Sequence, residues 1–289
     1  MLTARAYGKI NLTLEITGRK PDGYHTLETV MQSVSLGDVV NLEHDPAGPA
    51  VQCDGGIPAG SSNTAYKAVE AFAAYCGEPA YRCVRVNIEK HIPSEAGMGG
   101  GSADAAAVLV LLNQLFETNL PEETLCAIGA GVGADVPFCA AGGTKRCQGI
   151  GEILSPAQKL PDCCILLCKP PVGVSTGAAF RKADESGNYA DGSATAAMLN
   201  ALKNRELSAV AAGLQNDFER LIPLEEVQAI REKMLENGAL GARMTGSGSV
   251  VYGLFANEET AAAAARALQG MGQTFLTKPA GTGIELIED

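Results

Sequence analysis

The stretch IPSEAGMGGGSADAAA, residues 92–107, places four glycines at positions 97, 99, 100 and 101 directly before an alanine-rich segment. Ordering glycine costs conformational entropy, so a cluster of it indicates a sharp turn or a close approach to the main chain. The following residues, ADAAAVLVLLNQLF, are apolar on nearly every side and predict a buried helix. The stretch therefore predicts a glycine-rich loop that opens into a helix.

A helix that follows such a loop is suited to bind phosphate. Its first N–H groups have no partner within the helix, and the helix dipole adds partial positive charge there. Glycines let phosphate oxygens approach these groups because no Cβ atom stands in the way. Four glycines in five residues exceed what a tight turn needs. We therefore predict phosphate binding, with Ser102 either capping the helix or directing its hydroxyl at a phosphate or a metal-bound water.

Two common phosphate-binding motifs do not fit this loop. The GK[ST] ending of a Walker loop is absent. The letters GMGGGS match the dinucleotide fingerprint GxGxxG only if Ser102 stands for the last glycine, and no parallel-sheet pattern surrounds them. A dinucleotide-dependent oxidoreductase is therefore a disfavoured alternative.

Composition limits the classes of protein that remain. The chain has 289 residues, enough for two domains, and its 46% hydrophobic and 19% charged residues are typical of a folded protein. A net charge of −11 argues against a nucleic-acid partner, which needs a basic surface. No apolar run reaches the roughly 18 residues that cross a bilayer, and the N-terminal residues do not resemble a signal peptide. We expect a cytoplasmic protein without a membrane partner, and the sequence does not indicate its oligomeric state.

The nine cysteines agree with a reducing compartment. They lack the paired spacing of zinc ligands, and none of the three histidines lies near the cluster Cys163, Cys164 and Cys168. We interpret them as small core residues and predict no metal-ligating residue.

Hydrophobic patterns predict an α+β chain of two lobes with a boundary near residues 150–160. Alternating segments predict strands within residues 4–44, and NTAYKAVEAFAAYCG predicts a helix that Ser62 or Asn63 caps and Gly77 ends. Residues 129–146 predict a loop, and CCILLCK predicts a buried strand. Further helices are predicted near 205–213, 224–236 and 257–271, with strand–turn–strand geometry around TGSGS at 245–249.

Residues 93–106 fit the pattern P-x-x-x-G-x-G-G-G-S-[SA]-[DN]-A-A and resemble the ATP loop of the GHMP small-molecule kinases, named for galactose, homoserine, mevalonate and phosphomevalonate. YGKINLTLEI at 7–16 and MTGSGSVVYGLF at 244–255 resemble the family's other two motifs, in the same order. The resemblance implies a two-lobed α+β fold with mixed or antiparallel sheets and packed helices. It places an ATP-binding lobe like domain 2 of ribosomal protein S5 at 1–155 and a ferredoxin-like lobe that closes the substrate cleft at 156–289.

Within this family the match narrows to one kind of acceptor. Residues 9–38, with DGYHTLET at their centre, and the segments GADVPFC, VSTGAAF and LQNDFE resemble members that use ATP to phosphorylate the 2-hydroxyl of a cytidine-diphosphate-linked methylerythritol, in the non-mevalonate route to isoprenoid precursors. Two alternatives stay open: a kinase of the homoserine or mevalonate type, and a nucleotide or sugar sensor without catalysis. The sequence departs from the family pattern at Ser249, where proline is frequent, at Ala103, where serine is frequent, and at Glu95, which brings an acid to the loop.

The resemblance also implies roles for individual residues, with ATP and Mg²⁺ as cofactors. Asp135 is the catalytic base and Lys9 its cationic partner; a structural ion pair is the alternative. Tyr24 and Phe180 sandwich the cytosine and His25 hydrogen-bonds its edge, unless these are ordinary aromatic packing residues. The other predicted contacts lie on two sides of the cleft: Lys90, Pro93, Gly97, Gly99, Gly100, Gly101 and Ser102 toward ATP, and Asn11, Thr176, Gly246 and Ser247 toward the acceptor. Lys90 could equally be a solvated lysine at a strand end, and 245–249 a plain hairpin turn.

Overall fold

The computed structural model of the protein describes residues 1–54 and 60–288. The strands are β1 (Leu2–Arg19), β2 (His25–His44), β3 (Ala50–Cys53), β4 (Val84–Glu89), β5 (Thr144–Gln148), β6 (Ile153–Pro156), β7 (Cys164–Lys169), β8 (Gln215–Asn216), β9 (Gly241–Met244), β10 (Val251–Phe255), β11 (Gln273–Thr277) and β12 (Ile284–Ile287). The helices are α1 (Thr64–Cys76), α2 (Gly100–Leu115), α3 (Glu122–Ala130), α4 (Val136–Ala141), α5 (Thr176–Ser186), α6 (Ser193–Asn204), α7 (Leu207–Ala212), α8 (Asp217–Leu221), α9 (Glu225–Glu236) and α10 (Glu258–Ala267), with a 3₁₀ turn at Pro79–Arg82.

The first sheet is built around the long antiparallel hairpin of β1 and β2. Its main order is β12-β1-β2-β4-β3, with β5 and β6 extending from β2 and β8 pairing with β1. Most pairs are antiparallel, whereas β3 with β4 and β1 with β8 are parallel. The predicted α+β class with mixed sheets is confirmed. Strand β12 comes from the C-terminal part of the chain and pairs with β1, while the division near residue 155 stays a prediction.

Helix α2 is the centre of the larger core. Residues 103–109, 111 and 112 are buried, as the apolar sequence predicts, and α2 packs against α1 and the first sheet. Helix α1 also has the predicted ends: the Asn63 side chain accepts from Ala65 N, and Gly77 adopts a left-handed φ of 68°. Burying these two helices on the sheet fixes where α2 begins.

The second sheet has the order β11-β7-β10-β9 and is antiparallel throughout. Helices α9 and α10 pack on it, and Cys163, Cys164 and Cys168 are buried as predicted. The nine cysteines are free thiols. Burial raises the pKa of eight of them.

Three local expectations were wrong or incomplete. Residues 129–146 are not one loop, because α4 begins there with Pro137 in its first turn, where proline's fixed φ suits a helix, and β5 follows from Thr144. Helices α5 and α6 were not predicted from sequence. Ser102 does not cap α2, because the helix already begins at Gly100 and the cap residue is Gly99. Within the described residues, no helix is both long and apolar enough to cross a membrane.

Candidate active site

A cavity of about 640 Å³ opens between the glycine loop, β1, the start of α5 and the turn that joins β9 to β10. Most of the residues predicted for the site line it, although they come from distant parts of the chain. They are Lys9, Asn11, Lys90, Pro93, Gly97, Gly99, Gly100, Gly101, Ser102, Asp135, Thr176, Phe180, Gly246 and Ser247. Tyr24 and His25 are not among the lining residues.

The glycine loop is held in a conformation that glycine alone adopts easily. Gly97 and Gly99 have φ values of 73° and 70°, in the left-handed region. A Cβ atom on Gly97 would lie 2.1 Å from the Thr245 carbonyl oxygen. Lys9 N donates to Met98 O at 2.9 Å and so ties the loop to β1. At these two positions glycine is required by backbone geometry and by close packing.

The N-terminus of α2 faces the cavity through Gly100, Gly101 and Ser102. The cap residue Gly99 offers no side chain to the free N–H groups, and the first turn holds no acidic residue. This 16-residue helix therefore presents unpartnered donors and the positive end of its dipole to the cavity. That arrangement suits an anion with several oxygens.

Lys9 and Asp135 form an ion pair at the wall of the cavity. Lys9 Nζ lies 3.5 Å from Asp135 Oδ2 and donates to Asn11 Oδ1 at 2.8 Å. The lysine side chain is 5% exposed, whereas that of Asp135 is 30% exposed. Asp135 directly precedes α4, and a Cβ atom on Gly99 would lie 3.7 Å from its Oδ2. The carboxylate thus stands beside the glycine loop and remains open to a bound molecule.

Lys90 lies below the same loop, but it is not solvated, so that alternative was wrong. Its ammonium group, on a side chain only 9% exposed, hydrogen-bonds Asp104 Oδ2 at 2.7 Å and also Asp38 Oδ2. Asp38 Oδ1 accepts from the backbone N–H groups of His91 and Ile92 at 2.6 and 2.8 Å. This lysine–carboxylate cluster connects β2, the end of β4 and α2. It therefore links the two segments between which the glycine loop lies.

The cluster is electrostatically strained on its acidic side. Burial raises the pKa of Asp104, and the neighbouring Asp38 raises it further, against the lowering effect of Lys90. Burial alone would lower the pKa of Lys90, but Asp104 and Asp38 raise it overall. Asp104 Oδ1 is buried and has no hydrogen-bond partner in the part of the chain that the structure describes. Two carboxylates thus share one buried ammonium.

The acceptor side of the cavity is built around Phe180 of α5. The His25 ring stacks on Phe180 with centroids 4.6 Å apart and an interplanar angle of 16°. His25 Nε2 lies 2.8 Å from Asp184 Oδ1, and Arg19 Nη1 lies 3.4 Å from Asp184 Oδ2. Tyr24 precedes this group in the turn between β1 and β2, and its side chain is 61% exposed. The predicted cytosine site stays a prediction, and one face of Phe180 is already covered by His25.

The turn between β9 and β10 joins two antiparallel strands and packs on the glycine loop. Gly246 N donates to Asn11 Oδ1 at 3.1 Å, and a Cβ atom on Gly246 would lie 2.6 Å from Gly97 O. The hydroxyls of Thr176 and Ser247 are 2.9 Å apart. Asn216 Nδ2 donates to the carbonyl oxygens of Met244 and Gly246, a supporting role that the sequence motif LQNDFE did not reveal.

No group of three or more His, Cys, Asp or Glu side chains among residues 1–54 and 60–288 is arranged to hold a metal ion. The carboxylates that line the cavity are those of Asp135 and the exposed Glu95, and the Ser102 hydroxyl lies at the phosphate loop. Magnesium prefers oxygen ligands and is commonly held by one or two carboxylates together with the phosphates of a nucleotide. The donor set therefore fits magnesium that arrives on a triphosphate, not a site built by the protein alone.

Comparison with known proteins identifies the relatives of this chain. The GHMP kinases N terminal domain family matches residues 63–143, and the GHMP kinases C terminal family matches residues 196–274. The 4-diphosphocytidyl-2-C-methyl-D-erythritol kinase of Desulfitobacterium hafniense (strain Y51) is 42% identical over 261 residues, covering 89% of this chain and 88% of that protein. The kinase of the same name from Moorella thermoacetica is 42% identical over 93% of this chain and 95% of its own length.

Solved structures agree with the sequence relatives. A crystal structure of 4-(cytidine 5'-diphospho)-2C-methyl-D-erythritol kinase aligns with a TM-score of 0.76 and 32% identity over 96% of this chain and 99% of that chain. A homoserine kinase from Cytophaga hutchinsonii, 18% identical, has a TM-score of 0.75 over 99% of this chain and 97% of its own, which shows a shared fold only. The fold is that of the GHMP kinases, and the chain belongs to the 4-diphosphocytidyl-2-C-methyl-D-erythritol kinase family.

Proposed function

We propose that the protein transfers the γ-phosphoryl group of ATP to the 2-hydroxyl of 4-diphosphocytidyl-2-C-methyl-D-erythritol. The observation that carries this proposal is the Lys9–Asp135 pair, which stands open to the cavity beside Gly99 of the phosphate loop. A loop for the triphosphate and a carboxylate for the acceptor hydroxyl are the two parts that phosphoryl transfer to an alcohol needs. The names of the relatives at about 40% identity support the choice of acceptor.

Asp135 is proposed to accept the proton of the acceptor hydroxyl as the new P–O bond forms. An alcohol is a weak acid, so the base matters most late in transfer, when the hydroxyl proton becomes acidic. The Lys9 ammonium, 3.5 Å from the carboxylate, offsets negative charge on the phosphoryl group during its transfer. Asn11 holds the Lys9 ammonium at 2.8 Å and so fixes its direction.

The ATP phosphates are proposed to lie over Gly97, Gly99, Gly100 and Gly101, with Ser102 and Pro93 at the two ends of the loop. Bare N–H groups at the start of α2 support this placement. Lys90 is also predicted to lie at the nucleotide side, but its ammonium is engaged with Asp38 and Asp104. Two of the three ammonium donors of Lys90 are therefore used within the protein.

The acceptor is proposed to place its cytosine near Phe180, His25 and Tyr24 and its polar chain along Asn11, Thr176, Gly246 and Ser247. Stacking on an aromatic ring contributes about 1–3 kcal/mol per base in single-stranded nucleic acids, and a free cytosine offers the same face. The exposed Tyr24 can cover a base once one is bound. Residues 1–155 are proposed to bind ATP, and residues 156–289 to close the cleft over the acceptor.

Magnesium bound to the triphosphate would neutralise charge between the β- and γ-phosphates. Ser102 and Asp135 are the proposed protein groups nearest to it. The protein is further proposed to act in the cytoplasm on a small molecule and not on nucleic acid, which its net charge of −11 disfavours.

The first experiment measures ADP release from ATP and magnesium with three acceptors in parallel: the cytidine-diphosphate methylerythritol, mevalonate and homoserine. The Asp135→Ala variant runs beside the wild type, with Asp191→Ala, an exposed aspartate outside the cavity, as the matched control. We expect turnover with the cytidylyl acceptor alone, lost in Asp135→Ala and kept in Asp191→Ala.

Turnover with mevalonate or homoserine instead would keep the kinase and overturn the cytosine site. ATP binding without transfer to any acceptor would favour the alternative of a nucleotide sensor. Full activity of Asp135→Ala would remove the carboxylate from the mechanism.

A further inference from the structure

A second cavity, of about 390 Å³, lies between α8, α9 and β9. Three arginines line it: Arg220 from α8, Arg231 from α9 and Arg243 from β9. Among the described residues that line this cavity, Glu219 is the single acid and there is no lysine. Three guanidinium groups thus line one cavity in a chain whose net charge is −11, and two of them, Arg231 and Arg243, contact Glu219.

The carboxylate of Glu219 is already fully used. Its Oε1 accepts from Arg231 Nη1 at 2.9 Å and from Arg243 Nη1 at 3.4 Å, and its Oε2 accepts from the backbone N–H of Met244 at 2.9 Å. Arg220 reaches only Asp217, with a separation of 3.8 Å. Three guanidinium groups thus face the two carboxylates of Glu219 and Asp217, which leaves one positive charge in excess.

Arg231 carries a donor that nothing in the described chain satisfies. Its Nε is buried and makes no hydrogen bond. A buried donor without a partner is unfavourable and calls for an explanation. Guanidinium groups offer five donors in a planar fork that matches the oxygens of a phosphate group.

We propose that this arginine cavity binds a small phosphate-bearing anion, held by Arg220, Arg231 and Arg243 at a site that shares none of its described lining residues with the cavity of the phosphate loop. The anion binds the exposed parts of the three guanidinium groups and balances the positive charge that Glu219 and Asp217 leave over. Gln228 stands at the wall of the cavity and adds a neutral donor. The inference goes beyond the proposed function and does not depend on it.

The test is a calorimetric titration of pyrophosphate into the protein saturated with ADP and magnesium, so that the phosphate loop is already occupied. Arg220→Gln removes one guanidinium, whose only ion pair within the described residues has a long N–O separation. Gln228→Glu adds a negative charge and leaves all three guanidinium groups in place. We expect both variants to fold. Arg266→Gln, an exposed arginine of α10, is the matched control. We expect one equivalent of pyrophosphate to bind the wild type and Arg266→Gln, and each cavity variant to bind about tenfold more weakly.

Citrate in a parallel titration separates phosphate recognition from general attraction of anions. Binding of citrate as tight as that of pyrophosphate would overturn the assignment of a phosphate group. Equal affinity for pyrophosphate in the wild type and both cavity variants, or no binding once ADP is present, would overturn the site itself.

Discussion

Two lysine–carboxylate clusters flank the glycine loop, and they differ in how far their charges are satisfied. Lys90 holds Asp38 and Asp104 in direct hydrogen bonds and is buried with them. Lys9 stands 3.5 Å from a single carboxylate, and Asp135 keeps 30% of its side chain exposed. Adjacent glycines separate the two: a Cβ atom on Gly99 would meet Lys9, and one on Gly100 would meet Lys90 Nζ at 3.4 Å.

The contrast distinguishes a cluster that builds a loop from one that acts on what the loop binds. Removing one partner from a buried ionic cluster leaves uncompensated charge, so the Lys90 cluster is expected to serve the stability of the loop. A carboxylate that stays partly exposed beside a cation can still accept a proton from a bound hydroxyl. The same residue types therefore serve structure on one side of the loop and chemistry on the other.

The largest expected effect comes from Asp135→Asn. The amide keeps the size of the side chain but cannot accept a proton, so turnover should fall by about 10³-fold, in the range of a lost general base. Because Asp135 is partly exposed, urea unfolding should show a change of no more than about 1 kcal/mol. If the turnover of Asp135→Asn fell only in proportion to the amount of folded protein, Asp135 would have a structural role. The two lysine–carboxylate clusters would then not differ in function.

Lys90→Met tests the opposite cluster and should act on stability. It leaves Asp38 and Asp104 buried without their cation, which costs about 3–5 kcal/mol of unfolding free energy. The measurement is urea unfolding, with Lys182→Met as control because its pair with Glu185 is exposed on both sides. An exposed pair of this kind contributes about 0–1 kcal/mol. Equal losses in the two variants would show that the buried cluster is not special.

Alanine substitutions at the adjacent residues Gly99 and Gly100 should distinguish the catalytic role of the Lys9 cluster from the structural role of the Lys90 cluster. Gly99→Ala places a side chain at φ 70° against Lys9, a strain of about 1–3 kcal/mol, and we expect roughly a tenfold loss of turnover. Gly100→Ala presses on Ile92 and Lys90 instead, with close contacts at 3.2 and 3.4 Å. It should lower the thermal midpoint more than it lowers turnover per folded molecule. A reversed pattern would contradict the assignment of the two clusters.

The smallest effect concerns pH and Asp104→Asn. The raised pKa of Asp104 means that the folded protein binds a proton which the unfolded chain has released. This contribution to stability is present near the ordinary pKa of 3.8 and is lost as pH rises to about 7. The variant removes it, so its unfolding free energy should vary less with pH over this window. Urea unfolding at pH 4.5 to 7.5 measures the slope, and an unchanged slope would exclude Asp104 as its source.

Local signals in the sequence were enough for part of this structure. Asn63 and Gly77 end α1 through short-range capping, and α2 is buried because its residues are apolar on every side. The glycine loop could be predicted because the positive φ values at positions 97 and 99 favour glycine, and glycine is visible in the sequence. Most of the site residues that were predicted from the family resemblance line one cavity in the structure.

Long-range features were missed because they leave no local mark. Asp38, Lys90 and Asp104 are far apart in sequence, and only the packing of β2, β4 and α2 makes them one cluster. Pro137 reads as a loop residue, yet it fits the first turn of α4. The return of β12 to β1 likewise depends on tertiary pairing across nearly the whole chain.

The burial of the thiols has a practical consequence for chemical labelling. The thiolate is the form that reacts with alkylating reagents, and eight of the nine cysteines have a raised pKa that keeps them protonated near neutral pH. A cysteine introduced at the exposed position of Tyr24 would therefore be alkylated ahead of these eight native thiols. Once Cys83, which is not among the eight, is replaced, a fluorophore attached there would report on the turn between β1 and β2 without removal of the other native cysteines.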